Sequence, residues 1–254
     1  MSDKKLLVYV VVYNSEKHVT PVLDAIPCAE CGQYEILVSD DASQDQTSAV
    51  IQKYILENPD KKMKLVTQQK NLGYGGNQKF GYEYAVKNGF DAVILVHGDG
   101  QYSPKFIPQI VEPILSGNCE VMLGSRMLNR KSALQGGMPL YKFVGNIILT
   151  KAQNFLLNMN LAEYHTGYRA YSVKALARVP FLRNNNGFAF DTDILIQLID
   201  NKARIGEVAI PTYYGDEICR VNGIKYAYEI MLSTLLSRAQ RLGLYNSKKF
   251  NYHV

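Results

Sequence analysis

The sequence predicts an α/β fold in which a mostly parallel central sheet carries helices on both faces. Strand-like and helix-like segments alternate through the first half of the chain, an order typical of βαβ units. Val, Ile and Leu fill the strand-like segments without strict alternation, as expected for strands that helices cover on both faces. The 254 residues, 47% of them hydrophobic, are enough for one large core, so we predict a single domain over residues 1–254.

The individual elements follow from these patterns. Five strands are predicted, over residues 6–13, 34–40, 64–69, 92–97 and 120–126. Helices fill the intervals, and the one over 47–58 starts at Asp45 or Gln46 and ends before Pro59. After residue 126 we predict a Gly-rich loop, an amphipathic helix over 142–160, a helix over 191–201, a strand-rich stretch over 204–214 and a closing helix over 224–242.

Charge and composition limit the classes of partner. The formal net charge is +5 and the basic residues are scattered, so we expect no nucleic-acid partner but a polyanionic small molecule or a weak attraction to an anionic membrane. We recognise neither a signal peptide nor a stretch of roughly 20 apolar residues. We therefore expect a cytoplasmic protein, with peripheral attachment at the inner face of the membrane as a further option. Cys28 and Cys31 are interpreted as reduced loop thiols, because no second pair has zinc spacing.

Polar side chains follow three of the predicted strands at the point where each strand ends. The three sets are Tyr13 with Asn14, Asp40 with Asp41, and His97 with Asp99 and Gln101. In open α/β sheets a ligand binds beyond the carboxyl ends of the strands. We therefore expect all three sets to face one crevice.

The end of the fourth strand has the character of a metal site. If the extended geometry continues, His97, Asp99 and Gln101 lie on one face because they are two residues apart. Mg²⁺ takes one or two oxygen ligands from a protein and the others from phosphates and water, and the Asp99 carboxylate and the Gln101 carbonyl can supply them. The alternatives are that Asp99 caps the helix near Pro104 or that the segment is only a turn.

The end of the second strand has the character of a nucleotide site. Asp40 and Asp41 can accept hydrogen bonds from a ribose or a base, and because adjacent carboxylates repel each other, the pair implies a nearby donor or cation. The alternative is local helix capping, in which Ser43 or Asp45 takes part.

A Gly-rich segment, "NLGYGGNQKFGYEYA", enters the helix after the third strand. Phosphate-binding loops combine glycines and a helix start in this way, which makes Gly73 a candidate nucleotide-sugar contact. The segment fits neither the P-loop nor G-x-G-x-x-G. The alternative is a flexible helix start.

Six stretches together resemble the family 2 glycosyltransferases of GT-A fold. They are "VYVVVYNSEKHV", "EILVSDDASQDQT", "NLGYGGNQKFGYEYA", "ILVHGDGQYSP", "MLGSRM" and "EYHTGYRAYS". Their order and spacing are those of the family over about residues 6–214, and they are most similar to the branch of dolichyl- and polyprenyl-phosphate mannose or glucose synthases.

The resemblance implies an inverting transferase that uses a UDP- or GDP-linked sugar and a divalent ion, Mg²⁺ or Mn²⁺. It implies a nucleotide-sugar-binding half over residues 1–126 and an acceptor-side half over 127–254. The positions that match the family's motifs are Tyr13 and Asn14 at the base and ribose, Asp40 and Asp41 at the nucleotide, Asp99 and Gln101 at the metal, and Arg126 and Arg169 at the phosphates.

One position departs from the family. His97 stands where the first Asp of Asp-x-Asp is expected. A neutral imidazole can ligate a softer ion such as Mn²⁺, but it removes one negative charge. The alternative is a buried histidine with a local partner.

The acceptor side is less determined. Asp191 and Asp193 match an acidic pair of the family, and together with Glu163 they are candidates for a catalytic base, which a hydroxyl acceptor needs and an ionised lipid phosphate does not. We favour a polyprenyl phosphate as acceptor, with a soluble or glycan hydroxyl as the alternative. The segment over 143–157 either contacts the lipid or packs in the core, and a membrane partner protein is a further option.

Two other functions remain open at this stage. One is a non-catalytic nucleotide-sugar-binding protein, which the departure at His97 suggests. The other is nucleotidyl transfer, whose Gly-rich signature after the first strand is replaced here by "YNSEKHV".

Overall fold

A computed structural model describes residues 4–27, 32–212 and 221–252, so the Cys28 and Cys31 pair lies outside the described residues. The strands are β1 (Lys5–Val12), β2 (Gln33–Asp40), β3 (Met63–Thr67), β4 (Ala92–His97), β5 (Val121–Ser125), β6 (Arg169–Ser172) and β7 (Ile205–Ala209). The helices are α1 (Val19–Asp24), α2 (Thr47–Glu57), α3 (Tyr74–Lys87), α4 (Ile107–Leu115), α5 (Arg130–Gln135), α6 (Leu140–Leu157), α7 (Val173–Leu176), α8 (Phe190–Asp200) and α9 (Gly223–Arg241).

The strands of the described residues form one sheet in the order β3-β2-β1-β4-β6-β5-β7. Every neighbouring pair is parallel except the two that involve β6, which runs antiparallel to β4 and to β5. The predicted α/β class with a mostly parallel sheet is confirmed. The sequence did not predict β6, because its four residues are too few for a periodic signal and both of its partner strands are distant along the chain.

Helices cover both faces of the sheet and give it two cores. In β1, Leu6, Val8 and Val10 point into one buried cluster, which includes residues of α1, α2 and α4. Leu7 and Tyr9 point into the other cluster, which includes residues of α3 and α8. This double burial explains why the strands read as continuous apolar runs.

The strand register brings the polar strand ends to one edge of the sheet. Val12 of β1 is opposite Asp40 of β2, and Val11 is opposite His97 of β4. The residues that follow these strands therefore emerge side by side, as the sequence predicts.

The carboxyl-terminal segment differs from the solvated tail that its two lysines suggest. Phe250 is buried in the cluster that contains α8. Lys249 donates a hydrogen bond of 2.8 Å to Asp193, and Tyr252 donates one of 3.0 Å to Asp200. The aromatic residues that follow the lysines decide the outcome, because they gain more from burial than the lysines lose.

Candidate active site

A cavity of about 980 Å³ opens at the carboxyl edge of the sheet. One side, the strand-end wall, consists of Tyr13, Asn14, Asp41, His97, Asp99 and Gln101. The facing side, the helical wall, consists of Tyr141, Lys142, Gly145, Asn146 and Leu149 of α6 and Gly223, Ile224, Tyr226 and Ala227 of α9. The size is that of a site for a small organic ligand.

Most of the predicted site residues meet in this cavity. Besides the strand-end wall, Gly73, Arg126 and Asp191 contribute to its lining. Four predicted residues do not contribute to the lining: Asp40, Glu163, Arg169 and Asp193. The hydrogen bonds of each one show why.

Asp40 organises the loop behind the strand-end wall. Its buried carboxylate accepts a hydrogen bond of 3.0 Å from the Ser43 amide, and it accepts others from the Ser43 and Ser48 hydroxyls. The Ser43 hydroxyl in turn accepts a hydrogen bond of 2.8 Å from the Asn14 amide. Asp40 therefore lies behind the wall in this structure, where it holds Ser43 and, through Ser43, the Asn14 amide.

Asp41 and Gly73 form one structural unit. The Asp41 carboxylate accepts hydrogen bonds from the amides of Leu72 at 2.7 Å and Gly73 at 3.1 Å. Burial raises the pKa of Asp41 above its ordinary value, although these two amides oppose the shift. Gly73 has a φ of 79°, and a Cβ there would lie 2.7 Å from the Asn186 carbonyl oxygen. Only glycine allows this turn, which holds Asp41 at the cavity.

Asp99 forms a local turn and also lies at the cavity wall. One of its oxygens, Oδ1, accepts a hydrogen bond of 3.0 Å from the Gln101 amide, which is the local turn that the sequence offered as an alternative. The side chain is nevertheless exposed at the cavity wall. The turn therefore presents the carboxylate to a ligand.

His97, Tyr74 and Asp191 form a hydrogen-bonded chain across the cavity floor. The Tyr74 Oη atom lies 3.0 Å from His97 Nε2 and donates to Asp191 Oδ2 at 2.9 Å. Gln78 donates to the other Asp191 oxygen at 3.0 Å. Burial raises the pKa of Tyr74 well above its ordinary value, so the phenol keeps its proton.

This chain determines the tautomer of His97. Because the single phenolic proton is given to Asp191, the Tyr74 oxygen accepts from His97, and Nε2 carries the ring proton. Burial lowers the pKa of His97, which favours the neutral ring. The lone pair of the neutral ring is then on Nδ1. Gly167 makes room for the ring, since a Cβ there would lie 2.4 Å from His97 Cε1.

Arg126 reaches the cavity as an ion pair. Its Nε donates to Glu163 at 3.0 Å, its main-chain amide donates to the same carboxylate at 2.7 Å, and Asn146 adds a third donor at 2.9 Å. Burial would raise the pKa of Glu163, but the charge and hydrogen bonds of Arg126 outweigh burial and lower it. Glu163 therefore holds Arg126 in place and is poorly suited to act as a base.

Arg169 is completely buried and does not meet a phosphate in this arrangement. Its guanidinium donates to the carbonyls of Thr166 at 2.7 Å, Tyr164 at 2.6 Å and Asp191 at 2.6 Å. The side chain thus ties the start of α8 to the strand β6. The Asp191 main chain is thereby held at the start of α8.

Asp193 points away from the cavity. It is buried and accepts hydrogen bonds from Ser233 of α9, from Lys249 at 2.8 Å and from the Asn185 amide at 3.2 Å. Of the predicted acidic pair, only Asp191 reaches the ligand space.

Sequence reasoning missed Tyr74 and Gln78. Both lie in the Gly-rich segment, whose glycines alone were weighed. The signal was present, because residues four apart on a helix share a face, and both side chains hydrogen-bond to Asp191.

The metal-binding capacity of the site is limited. Across residues 4–27, 32–212 and 221–252, no three His, Cys, Asp or Glu side chains are grouped to hold a metal ion. A divalent ion at Asp99 would therefore need ligands from a substrate, which is how Mg²⁺ commonly binds with nucleotide phosphates.

Comparison with known proteins identifies the family. The profile of glycosyl transferase family 2 matches residues 7–179, so the chain belongs to this family and is a glycosyltransferase. It is 27% identical over 248 residues to the UDP-N-acetylglucosamine--dolichyl-phosphate N-acetylglucosaminyltransferase of Methanococcus voltae, covering 93% of this chain and 97% of that protein. It is 24% identical to the polyprenol monophosphomannose synthase of Mycolicibacterium smegmatis, covering 82% and 77%.

Solved structures confirm the GT-A fold. Glucosyl-3-phosphoglycerate synthase of Mycobacterium tuberculosis, crystallised with Mn²⁺, UDP and phosphoglyceric acid, superposes with a TM-score of 0.69 at 17% identity, covering 97% of this chain and 81% of that one. At this level of identity the similarity concerns the fold alone.

Proposed function

We propose that the protein is an inverting, metal-dependent glycosyltransferase that moves a hexose from a UDP- or GDP-linked sugar to a polyprenyl phosphate. The observation that carries the proposal is the charge of the cavity. Asp41, Asp99 and Asp191 share the lining with Arg126 and Lys142, and Arg126 is already paired with Glu163. Such a lining repels a nucleotide diphosphate unless a divalent cation accompanies it.

The strand-end wall suits the nucleotide. Tyr13 and Asn14 follow β1, and Asp41 follows β2, with Gly73 next to it. Fixed turns hold both segments, so the wall needs little reordering when a base and a ribose bind. In this proposal residues 1–126 supply most of the donor contacts.

Asp99, the Gln101 carbonyl and His97 are the groups that would hold the metal, Mg²⁺ or Mn²⁺. When bound, the ion supplies positive charge that stabilises the departing nucleotide diphosphate. His97 contributes a neutral nitrogen where the family has a carboxylate, and imidazole suits transition ions better than Mg²⁺. We therefore expect a preference for Mn²⁺.

The nucleophile of the proposed reaction is the acceptor phosphate, which is ionised near neutral pH. Its oxygen attacks the anomeric carbon, the bond from that carbon to the nucleotide diphosphate breaks, and the configuration inverts. Arg126 stabilises the charge that leaves. No side chain has to remove a proton, which agrees with the engagement of both Asp191 oxygens by Tyr74 and Gln78.

The relatives support a lipid acceptor. The two named transferases are described by their names as acting on dolichyl phosphate and polyprenol. None of the helices in the described residues is both long and apolar enough to span a bilayer. We therefore propose that the enzyme meets its lipid at the membrane surface.

A transfer assay tests the proposal. The protein is incubated with Mn²⁺ or Mg²⁺, each of the UDP- and GDP-linked sugars, and a short-chain prenyl phosphate, and the anomeric configuration of the product is read by NMR. We expect one donor to give a glycosyl phosphate of inverted configuration. Transfer only to a sugar hydroxyl would favour the alternative acceptor, with Asp191 as base, and nucleotide-sugar binding without transfer to any acceptor would refute catalysis.

A further inference from the structure

The helix α6 has its polar and apolar residues reversed. Its buried positions include Asn146, Thr150 and Gln153. Its most exposed side chains are large and apolar: Leu140, Tyr141, Val144, Ile148 and Phe155, the last of which is 87% exposed. The spacing of these five follows the helical period, so they form one stripe.

The helix α9 shows the same reversal. Ser233, Thr234 and Ser237 are buried, with Ile230 as the one large apolar residue among the buried positions. The exposed side chains include Ile224, Tyr228, Leu232 and Leu235. Successive members are four, four and three positions apart, so these also lie on one face.

The two helices pack against each other through their polar sides. Gln153 of α6 donates a hydrogen bond of 3.2 Å to Thr234 of α9, and the two helices are in extensive contact. The apolar stripes therefore remain outside. We call the nine exposed side chains of α6 and α9 the apolar helix face.

This arrangement is unfavourable in water. Single exposed apolar residues are common on protein surfaces and need no explanation, and Leu56 on α2 is an example. Two exposed apolar stripes on neighbouring helices with polar buried sides are different, because the hydrophobic effect normally selects the opposite orientation. The sequence of both helices fits an environment that is less polar outside than inside.

Charge indicates which environment covers the face. The sequence of α6 contains two lysines and no acidic residue, and its exposed Lys151 lies between Ile148 and Phe155. On α9, Lys225 is exposed next to Ile224 but forms an ion pair of 3.9 Å with Glu229, so the net positive charge near the face comes from α6. Apolar side chains interspersed with lysines are typical of helices that lie in the interface of an anionic bilayer.

The face is also continuous with the cavity. The same two helices form the helical wall, and Tyr141 and Ile224 belong both to that wall and to the exposed face. A bilayer that contacts the face would therefore adjoin the mouth of the cavity.

We infer that the apolar helix face is a membrane-docking surface that binds the headgroup and upper acyl region of an anionic bilayer and brings the cavity mouth to the level of the lipid phosphates. The inference rests on the proposed function, in which the acceptor is a lipid phosphate. The docking surface implies that the prenyl tail of the acceptor stays in the bilayer while only its phosphate enters the cavity beside α6 and α9.

Vesicle co-sedimentation tests the inference. The probe is a vesicle of phosphatidylglycerol and phosphatidylcholine, and the variant is Ile148→Ser with Phe155→Ser, two exposed positions outside the cavity lining. Leu56→Ser on α2 is the control, because it removes a large apolar side chain that is 81% exposed on another helix. We expect at least tenfold weaker vesicle binding for the double variant and binding like that of the wild type for the control.

A second measurement separates docking from catalysis. Transfer to geranyl phosphate, a soluble short-chain acceptor, should be unchanged in the double variant, whereas transfer to a long-chain prenyl phosphate in vesicles should fall at least tenfold. If the wild type binds vesicles through this face but transfers nothing to either acceptor, the docking surface stands and the proposed function fails.

Three outcomes would overturn the inference. The first is a wild-type protein that does not bind the vesicles, and the second is a double variant that binds them as the wild type does. The third is a double variant that converts a dimer to a monomer in sedimentation velocity without losing vesicle binding, since a second copy of the chain would then cover the face.

Discussion

The strand-end wall and the helical wall enclose the same cavity but are built in opposite ways. The strand-end wall is polar and is held by short turns, as in the hydrogen bonds of Asp41 to Leu72 and Gly73. The helical wall belongs to helices that bury polar side chains and expose apolar ones. The difference indicates that one wall is matched to a fixed, charged ligand and the other to an apolar surface next to the site.

The largest expected effect is that of Asp99→Asn on the strand-end wall. We expect a loss of transfer rate by about 100-fold or more, because the amide removes a metal-binding charge where the leaving diphosphate must be neutralised. Metal-dependent binding of UDP or GDP, measured by calorimetry, should weaken in parallel. Asp60→Asn, an exposed acid outside the cavity, is the control, and activity near that of the wild type for Asp99→Asn would contradict the proposed metal site.

The pH dependence of stability tests His165, which lines the cavity and whose Nδ1 lies 3.1 Å from the hydroxyl of Tyr226 in the helical wall. Burial lowers the pKa of His165 to about 4, and its Nε2 has no hydrogen-bond partner within the described residues. The unfolded chain protonates this ring near pH 6.5, whereas the folded protein resists protonation, so this contribution to stability is complete above pH 6.5 and is lost as pH falls toward 4. The loss is at most about 3 kcal/mol, since one pKa unit corresponds to 1.36 kcal/mol.

Chemical unfolding at several pH values measures this effect. The free energy of unfolding should decline between pH 6.5 and 4, and His165→Gln should decline less over the same interval. Equal declines in the two proteins would show that His165 is not responsible.

Much of the strand-end wall could be predicted from the sequence, because strand ends and turns are local features. The register then aligns them, as with Val12 opposite Asp40. Arg169 could not be placed in this way, since its environment depends on β6, a short strand that pairs with β4 and β5 from a distance. The exposure of the apolar side of α6 could not be predicted either, because an amphipathic pattern does not determine which side of a helix packs against the core.

Asp193 is a separate case, because helix geometry alone could have excluded it. Residues two apart on a helix point in nearly opposite directions. Asp191 and Asp193 therefore cannot share one ligand. The family resemblance favoured both residues, and the structure separates them.

Tyr74→Phe tests the hydrogen-bonded chain that links His97 of the strand-end wall to Asp191. The variant removes the oxygen that accepts from His97 Nε2 and donates to Asp191. If His97 ligates the metal through Nδ1, loss of this orienting partner should weaken Mn²⁺ affinity about 10-fold to 100-fold, the range for groups that orient ligands. Titration of Mn²⁺ by electron paramagnetic resonance, with UDP present, measures the affinity, and His97→Asp should shift the preference toward Mg²⁺. Unchanged Mn²⁺ affinity in Tyr74→Phe would show that the tautomer is not fixed by this chain.

The smallest expected effect lies outside both walls, at the contact of the tail with α8. Lys249→Ala removes the ion pair of the buried Asp193 and leaves that carboxylate with Ser233 and the Asn185 amide as partners. The lysine side chain is partly exposed, so water screens the ion pair. We therefore expect a loss of about 1–2 kcal/mol in the free energy of unfolding. Nucleotide affinity should not change, because Asp193 does not reach the cavity.

Lys248→Ala is the matched control, since Lys248 is exposed and makes no ion pair within the described residues. A drop in nucleotide affinity for Lys249→Ala, at a temperature where both variants are fully folded, would mean that the position of α8 limits donor binding and that the two walls are less independent than their construction suggests.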